Sequence, residues 1–212
     1  MPDIPSSPAS GVPSASSGSP STPSPAVSPT LWRPVLLRAA VALVFGAVTV
    51  FWGQPTTAGA AWALGAYFMG LAAAQAWQLR EEGRRQSSAR PSKAQRTTAS
   101  AAFGFAAAVG IALGAAPQPA VLAVGGAIAL GLTGASDLFR GIAGRSRSPL
   151  ARDAVIAGVV HLGAAVLLPF FTGLGAHALL GVSGGAAIIT GVLLAVAGLS
   201  LRHDSQPRAD VA

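Results

Sequence analysis

Six apolar stretches, at about residues 35–53, 58–79, 98–114, 119–139, 153–171 and 176–201, constrain this chain more than any other feature. Most are near the ~20 residues that a helix needs to span the hydrocarbon of a bilayer. Only 10% of the residues are charged, against about 25% in a soluble domain, so too few charges remain to cover a water-facing surface. The expected fold is an all-α membrane domain over residues 32–202.

The connections between the stretches alternate in character. Gly53-Gln54-Pro55, Ala116-Pro117-Gln118-Pro119 and Thr172-Gly173-Leu174-Gly175 are short and uncharged, so each is expected to join antiparallel neighbours. The connection from Arg80 to Arg96 carries Arg84, Arg85, Arg90 and Lys93 as well, and the next carries Arg140, Arg145, Arg147 and Arg152. Six spans in three antiparallel hairpins place all fourteen Lys and Arg residues on one side. The positive-inside rule makes that side the cytoplasm, with both termini there and the protein in the cell (inner or plasma) membrane. Trp32 and Trp77 then fall at the inner interface and Trp52 and Trp62 near the outer one, the headgroup depth that indole rings favour.

Residues 1–31 form a Ser/Pro/Ala tract without hydrophobic periodicity, expected as a disordered cytoplasmic tail because it cannot bury enough apolar area to offset the entropy of ordering. Residues 203–212 are expected as a second, short cytoplasmic tail. A secretory signal opens on a basic segment followed closely by an apolar run, whereas the first arginine here is Arg33; a cleaved signal is not expected. The net charge of +7 lacks the aromatic-flanked basic face of a nucleic-acid binder. Clustered at the cytoplasmic connections, it is instead suited to anionic lipid headgroups.

In lipid, helices associate through close van der Waals fit, which small residues permit. Gly110 and Gly114 form one Gly-x-x-x-Gly, Gly181 and Gly185 another, and Gly184, Gly191 and Gly198 recur every seven residues, two turns apart and so on one stripe. These glycines are the candidate helix-packing residues. The stripes suit either an intramolecular seam, the favoured reading, or the interface of a homo-oligomer.

Candidate chemistry is sparse. His161 is the one ionisable side chain expected near the midplane, and its helical neighbours Ala157, Gly158, Ala164 and Ala165 are small, which turns that face toward other helices. Intramembrane ionisable groups are functional candidates, and a histidine is suited to sensing or relaying protons. With no carboxylate expected at its depth, the favoured reading is a neutral packing histidine. Arg38 and the pair Asp137 and Arg140 are expected to snorkel or to pair at the surface, and Gln75 and Gln78 either to hydrogen-bond across helices or, the favoured reading, to face the interface.

Gly181-Val182-Ser183-Gly184-Gly185 matches Gly-x-Ser-x-Gly, yet a nucleophile elbow needs a strand-to-helix turn. A membrane serine dyad would also need a histidine on a later helix. A metal needs several converging His, Asp or Glu ligands. No catalytic, cofactor or metal site is therefore expected. A small channel or transporter for a small solute or proton is the alternative class, and beyond His161 its lining would have to use hydroxyls such as Thr133, Ser136, Ser183 and Thr190.

The segment from Leu37 through Gly46, the proline turn at Pro55, and Leu64-Gly65-Ala66-Tyr67-Phe68-Met69-Gly70 together resemble the first hairpin of HdeD-like bacterial membrane proteins. The last hairpin, with Ile156 through His161 and Gly191-Val192-Leu193-Leu194, is similar, and the resemblance covers most of residues 32–202. It implies a compact six-helix inner-membrane protein, non-enzymatic, associated in some members with acid stress, and supplies no catalytic residue.

Overall fold

The computed structural model describes residues 30–84, 91–146 and 148–206. Most of the Ser/Pro tail, residues 85–90 of the first basic connection and the last six residues lie outside them. The described residues form helices α1 (Trp32–Phe51), α2 (Thr57–Gly83), α3 (Lys93–Ala115), α4 (Pro119–Ala143) and α5 (Ala151–Leu167), a 3-10 segment (Leu168–Leu174) and α6 (Gly175–Asp204). No strand occurs among the described residues.

Local chemistry places the helix starts. The Thr56 side chain accepts from the Gly59 amide at 3.0 Å to cap α2. Ser92 and Gln95 form a reciprocal capping box on α3, at 3.2 and 2.8 Å, which satisfies two donors that a bare helix end would leave unpaired. Pro119 opens α4, where its missing N–H costs nothing. Arg80, Arg140 and Arg202 occupy last turns, the end at which the helix dipole favours a cation.

Among the described residues, five helical runs are long and apolar enough to cross a membrane, and the last, Ala151–Asp204, is 54 residues of uninterrupted helical structure. It contains the fifth and sixth expected spans. In place of a turn at 172–175, the chain tightens into the 3-10 segment from Leu168, and α6 starts at Gly175 with φ +84°, a left-handed conformation that glycine adopts without steric cost. α5 is only 17 residues and α6 is 30. Helices also extend past the apolar stretches into charged sequence, α2 to Gly83 and α3 back to Lys93.

Each helix packs on the next, and α6 closes the ring on α1. The most extensive pairings are α1 with α6, α4 with α5, and α2 with α3, so two of the three join helices across the basic connections. Glycine explains why. A Cβ on Gly65 would lie 2.6 Å from the Gly110 carbonyl oxygen, and one on Gly158 would lie 2.7 Å from that of Gly134. Backbone therefore meets backbone in α2–α3 and α4–α5. Along α1–α6, a Cβ on Gly184 would collide with Thr49, one on Gly191 would stand 2.9 Å from Leu43, and one on Gly198 2.6 Å from Leu36. Gly114 lies against the Trp62 ring, where a Cβ would meet it at 3.3 Å.

Gly181 and Gly185 depart from the intramolecular seam that is the favoured one of the two readings. An added Cβ at either would meet nothing within 4 Å, so this Gly-x-x-x-Gly packs on no helix of the described chain. Its neighbour Gly184 lies about 100° further round the helix, on the face that α1 covers. Outside the ring the large side chains are apolar: Val44, Ile111, Val159, Val166, Val192 and Val196 stand exposed. Phe68, Phe103, Leu64, Leu122 and Leu130 fill the core.

Candidate functional site: a buried polar cluster

Arg38 lies six residues into α1 and Asp137 six from the end of α4, each about 9 Å from its helix end at 1.5 Å per residue. Both are buried, at 4% and 1% exposure. Arg38 grips the Asp137 carboxylate with both terminal nitrogens: Nη1 donates to Oδ1 at 3.2 Å and Nη2 to Oδ2. Nη1 also donates to Gln75 Oε1 of α2 at 3.3 Å, and the guanidinium stacks over the Phe103 ring of α3, 5.1 Å from its centroid. One arginine thus ties α1 to three other helices.

The sequence reading of Arg38 and Asp137 as snorkelling or surface groups is therefore corrected. Asp137 pairs across the ring rather than with Arg140, which instead donates to Glu82 at 2.7 Å. Gln75 and Gln78 are buried rather than interfacial, and Gln78 donates to Glu82 at 2.8 Å.

His161 stands on α5 behind this pair, 1% exposed. Its Nδ1 is 3.9 Å from Asp137 Oδ2, too far for a hydrogen bond and close enough for an ion pair once the ring is protonated. Its Nε2 is 3.4 Å from the Tyr67 hydroxyl of α2, and the Tyr67 ring stacks on Phe45 at 4.3 Å and 12°. The expectation that no carboxylate reaches the depth of His161 is overturned. His161 lies about 15 Å into α5 by residue count, but the Asp137 side chain projects inward to meet it.

A cavity of about 60 Å3 opens beside the pair, lined among others by Arg38, Gln78, Glu82, Gln95, Asp137 and Arg140. Its walls come from the starts of α1, α3 and α5 and the ends of α2 and α4, with Leu194 of α6. Two of the wall residues carry buried atoms with no hydrogen-bond partner, Arg38 Nε and Glu82 Oε2, as do Gln75 and His161, which touch the Arg38–Asp137 pair, at Nε2 and Nδ1. Buried polar groups are paired in almost all folded proteins, so such a concentration marks a place where water or a ligand group is expected.

Of the hydroxyls considered for a lining, Thr133, Ser183 and Thr190 are used locally, donating to Ala129, Leu179 and Ala186 carbonyls one turn back, each at 2.9 Å. Ser183 of the Gly-x-Ser-x-Gly string is fully buried in this way. No group of three or more His, Asp or Glu that would hold a metal occurs among the described residues.

At the rim, Glu81 accepts from Thr30 Oγ1 at 2.9 Å, Trp77 Nε1 at 3.3 Å and Arg84 at 2.8 Å. Trp32 carries the guanidiniums of Arg33 and Arg202 at 5.3 and 5.5 Å. One signal for the cluster lay in the sequence: Arg38 and Asp137 are opposite charges at matched depth on two apolar spans, and intramembrane charges pair with one another. Comparison of the chain with family models, with curated proteins and with solved structures finds no match.

Proposed function

We propose that this chain is a non-enzymatic, multi-pass inner-membrane protein of the HdeD-like kind, with six spans in three antiparallel hairpins, both termini in the cytoplasm, and a role in acid stress or membrane homeostasis. The membrane setting follows from its five long apolar helical runs. Six spans are supported by the way alternate helix starts and ends converge on one cavity and by the contact of α5 with α6 on either side of the 3-10 segment. The carrying observation for the role is the buried Arg38–Asp137 pair with His161 against it. Charges at membrane depth are costly and mark function, and histidine is the side chain whose ordinary titration lies nearest neutral pH.

A deletion strain assayed for survival across external pH tests the role. Acid sensitivity is expected, restored by the intact gene and not by Asp137→Asn. A deletion strain that survives acid as its parent does would end the acid-stress reading.

The second reading, a small channel or transporter, is favoured by one observation: the cavity is polar and partly charged. Its walls, however, belong to the charged end of the helices, which gives a vestibule rather than a pore. Proton or solute flux across proteoliposomes separates the two, and a flux that Asp137→Asn abolishes would favour the transporter.

A further inference from the structure

Asp137 stands between two environments. On one side it lines the cavity, beside Gln78, Glu82, Gln95 and Arg140. On the other its Oδ2 faces Nδ1 of His161 at 3.9 Å. His161 is not one of the cavity walls, although Ala157, one turn before it, is. Among the described residues, the Asp137 carboxylate is therefore the proton-accepting group that meets both.

The cavity walls carry unpaired donors and acceptors. Arg38 Nε and Glu82 Oε2 lack hydrogen-bond partners, on side chains of residues that are 4% and 6% exposed, and both residues line the cavity. A polar space of about 60 Å3 that opens at the charged end of the helices has room for water. Its two cations, Arg38 and Arg140, are each matched by a carboxylate, which leaves no unbalanced charge to hold an ion.

We propose that the cavity is a one-sided proton entrance, whose water delivers protons from the charged end of the helices to Asp137 and through it to His161. A hydrated proton binds a carboxylate oxygen of Asp137 and leaves neutral water. Once side-chain movement closes the 3.9 Å between them to hydrogen-bond reach, Asp137 passes a proton to the unprotonated Nδ1 of His161 and returns to the carboxylate, while Nε2–H donates to the Tyr67 hydroxyl. The result is a row of Arg38 cation, Asp137 anion and His161 cation. The two cations then compete for one carboxylate, so the proton loosens the grip by which Arg38 ties α1 to α4. The groups facing His161 are Asp137 from α4, Arg38 from α1 and Tyr67 from α2. The buried residues of α6 and of the 3-10 segment, which also pack on α5, carry no ionisable group. The inference rests on the membrane reading above and is independent of any survival phenotype, so an acid-resistant deletion strain would leave it standing.

The chain has no cysteine, so single cysteines report access cleanly. Ala154→Cys, at a half-buried wall of the cavity, is expected to react with a membrane-impermeant thiol reagent from the charged side of the membrane and not from the other. In a His177→Gln/His203→Gln background, nitrogen-15 NMR of the full chain in vesicles is expected to show His161 gaining a proton as the medium on the charged side is acidified. That step should be lost in Asp137→Asn and kept in Asp137→Glu. Should Asp137→Asn fail to fold, reagent coupled to A154C plugs the cavity in an otherwise intact site and should slow the same step. An A154C thiol silent from the charged side or reactive from the opposite one, or a His161 titration indifferent to both Asp137→Asn and the plug, overturns the proposal.

Discussion

The ion pairs Arg38–Asp137 and Arg140–Glu82 flank the same cavity and use the same chemistry, yet they stand in different surroundings. The first has side chains 5% and 1% exposed, deep among four helices; the second has 11% and 8%, at the rim. A third pair, Glu81 with Arg84, has its arginine 75% exposed. Glu81 and Glu82 are adjacent in sequence, and successive residues point about 100° apart on a helix. One carboxylate therefore faces the cavity and the other the interface. Depth and direction, rather than residue type, decide which pair holds the ring together.

Breaking the deep pair is expected to have the largest effect. Asp137→Asn leaves the Arg38 charge buried with no counterion, and the loss of one partner of a buried pair costs about 3–5 kcal/mol. Thermal unfolding of the purified protein in detergent would measure it. The double variant Arg38→Met/Asp137→Leu should recover most of that loss, because packed apolar side chains replace buried pairs at little cost. A double variant no more stable than Asp137→Asn would show that the pair is not the unit.

The rim pair should matter less. Glu82→Gln neutralises the one oxygen that accepts from both Arg140 and Gln78 but leaves an amide oxygen that can still accept, so the loss is that of about one charge-assisted bond, ~1.5–3 kcal/mol. The same unfolding assay should place it below Asp137→Asn, and equal losses would erase the contrast of depth.

The two faces of α6 sharpen the comparison in apolar terms. Gly184→Val forces branched carbon into Thr49, and overpacking costs about 1–3 kcal/mol, visible as a lowered midpoint and a loosened α1–α6 pair in cross-linking. Gly185→Val meets open space and should stay within about 0.5 kcal/mol apart from helix propensity. A large loss there would reveal a second copy docked on that face.

Smallest of all, Arg84→Gln should leave stability unchanged, since exposed pairs are screened by solvent. A measurable loss would mean that the interface pair is structural after all.

Much of the architecture was legible because lipid imposes a simple demand. Apolar runs near twenty residues, the separation of charged from uncharged connections and the glycine stripe at 184, 191 and 198 are each properties of one segment at a time. The cluster was harder to see. Arg38 alone looks like a snorkelling residue, Asp137 alone like a partner for Arg140 three positions on, and His161 like a solitary histidine. Gly181 and Gly185 satisfy a packing pattern as well as Gly184 does, and a one-residue rotation decides which of them touches α1.

Sequence by itself determined the solvent this chain folds in and the helices it makes there, because hydropathy, capping residues and turn chemistry act over a few neighbouring positions. Only the tertiary structure decided which helices lie side by side, and so which charges meet. Arg38 and Asp137 are 99 residues apart in sequence, and their union depends on how glycine backbones bring α2 onto α3, α4 onto α5 and α6 onto α1. Those contacts are sums over whole helix faces, which no single stretch of the chain contains.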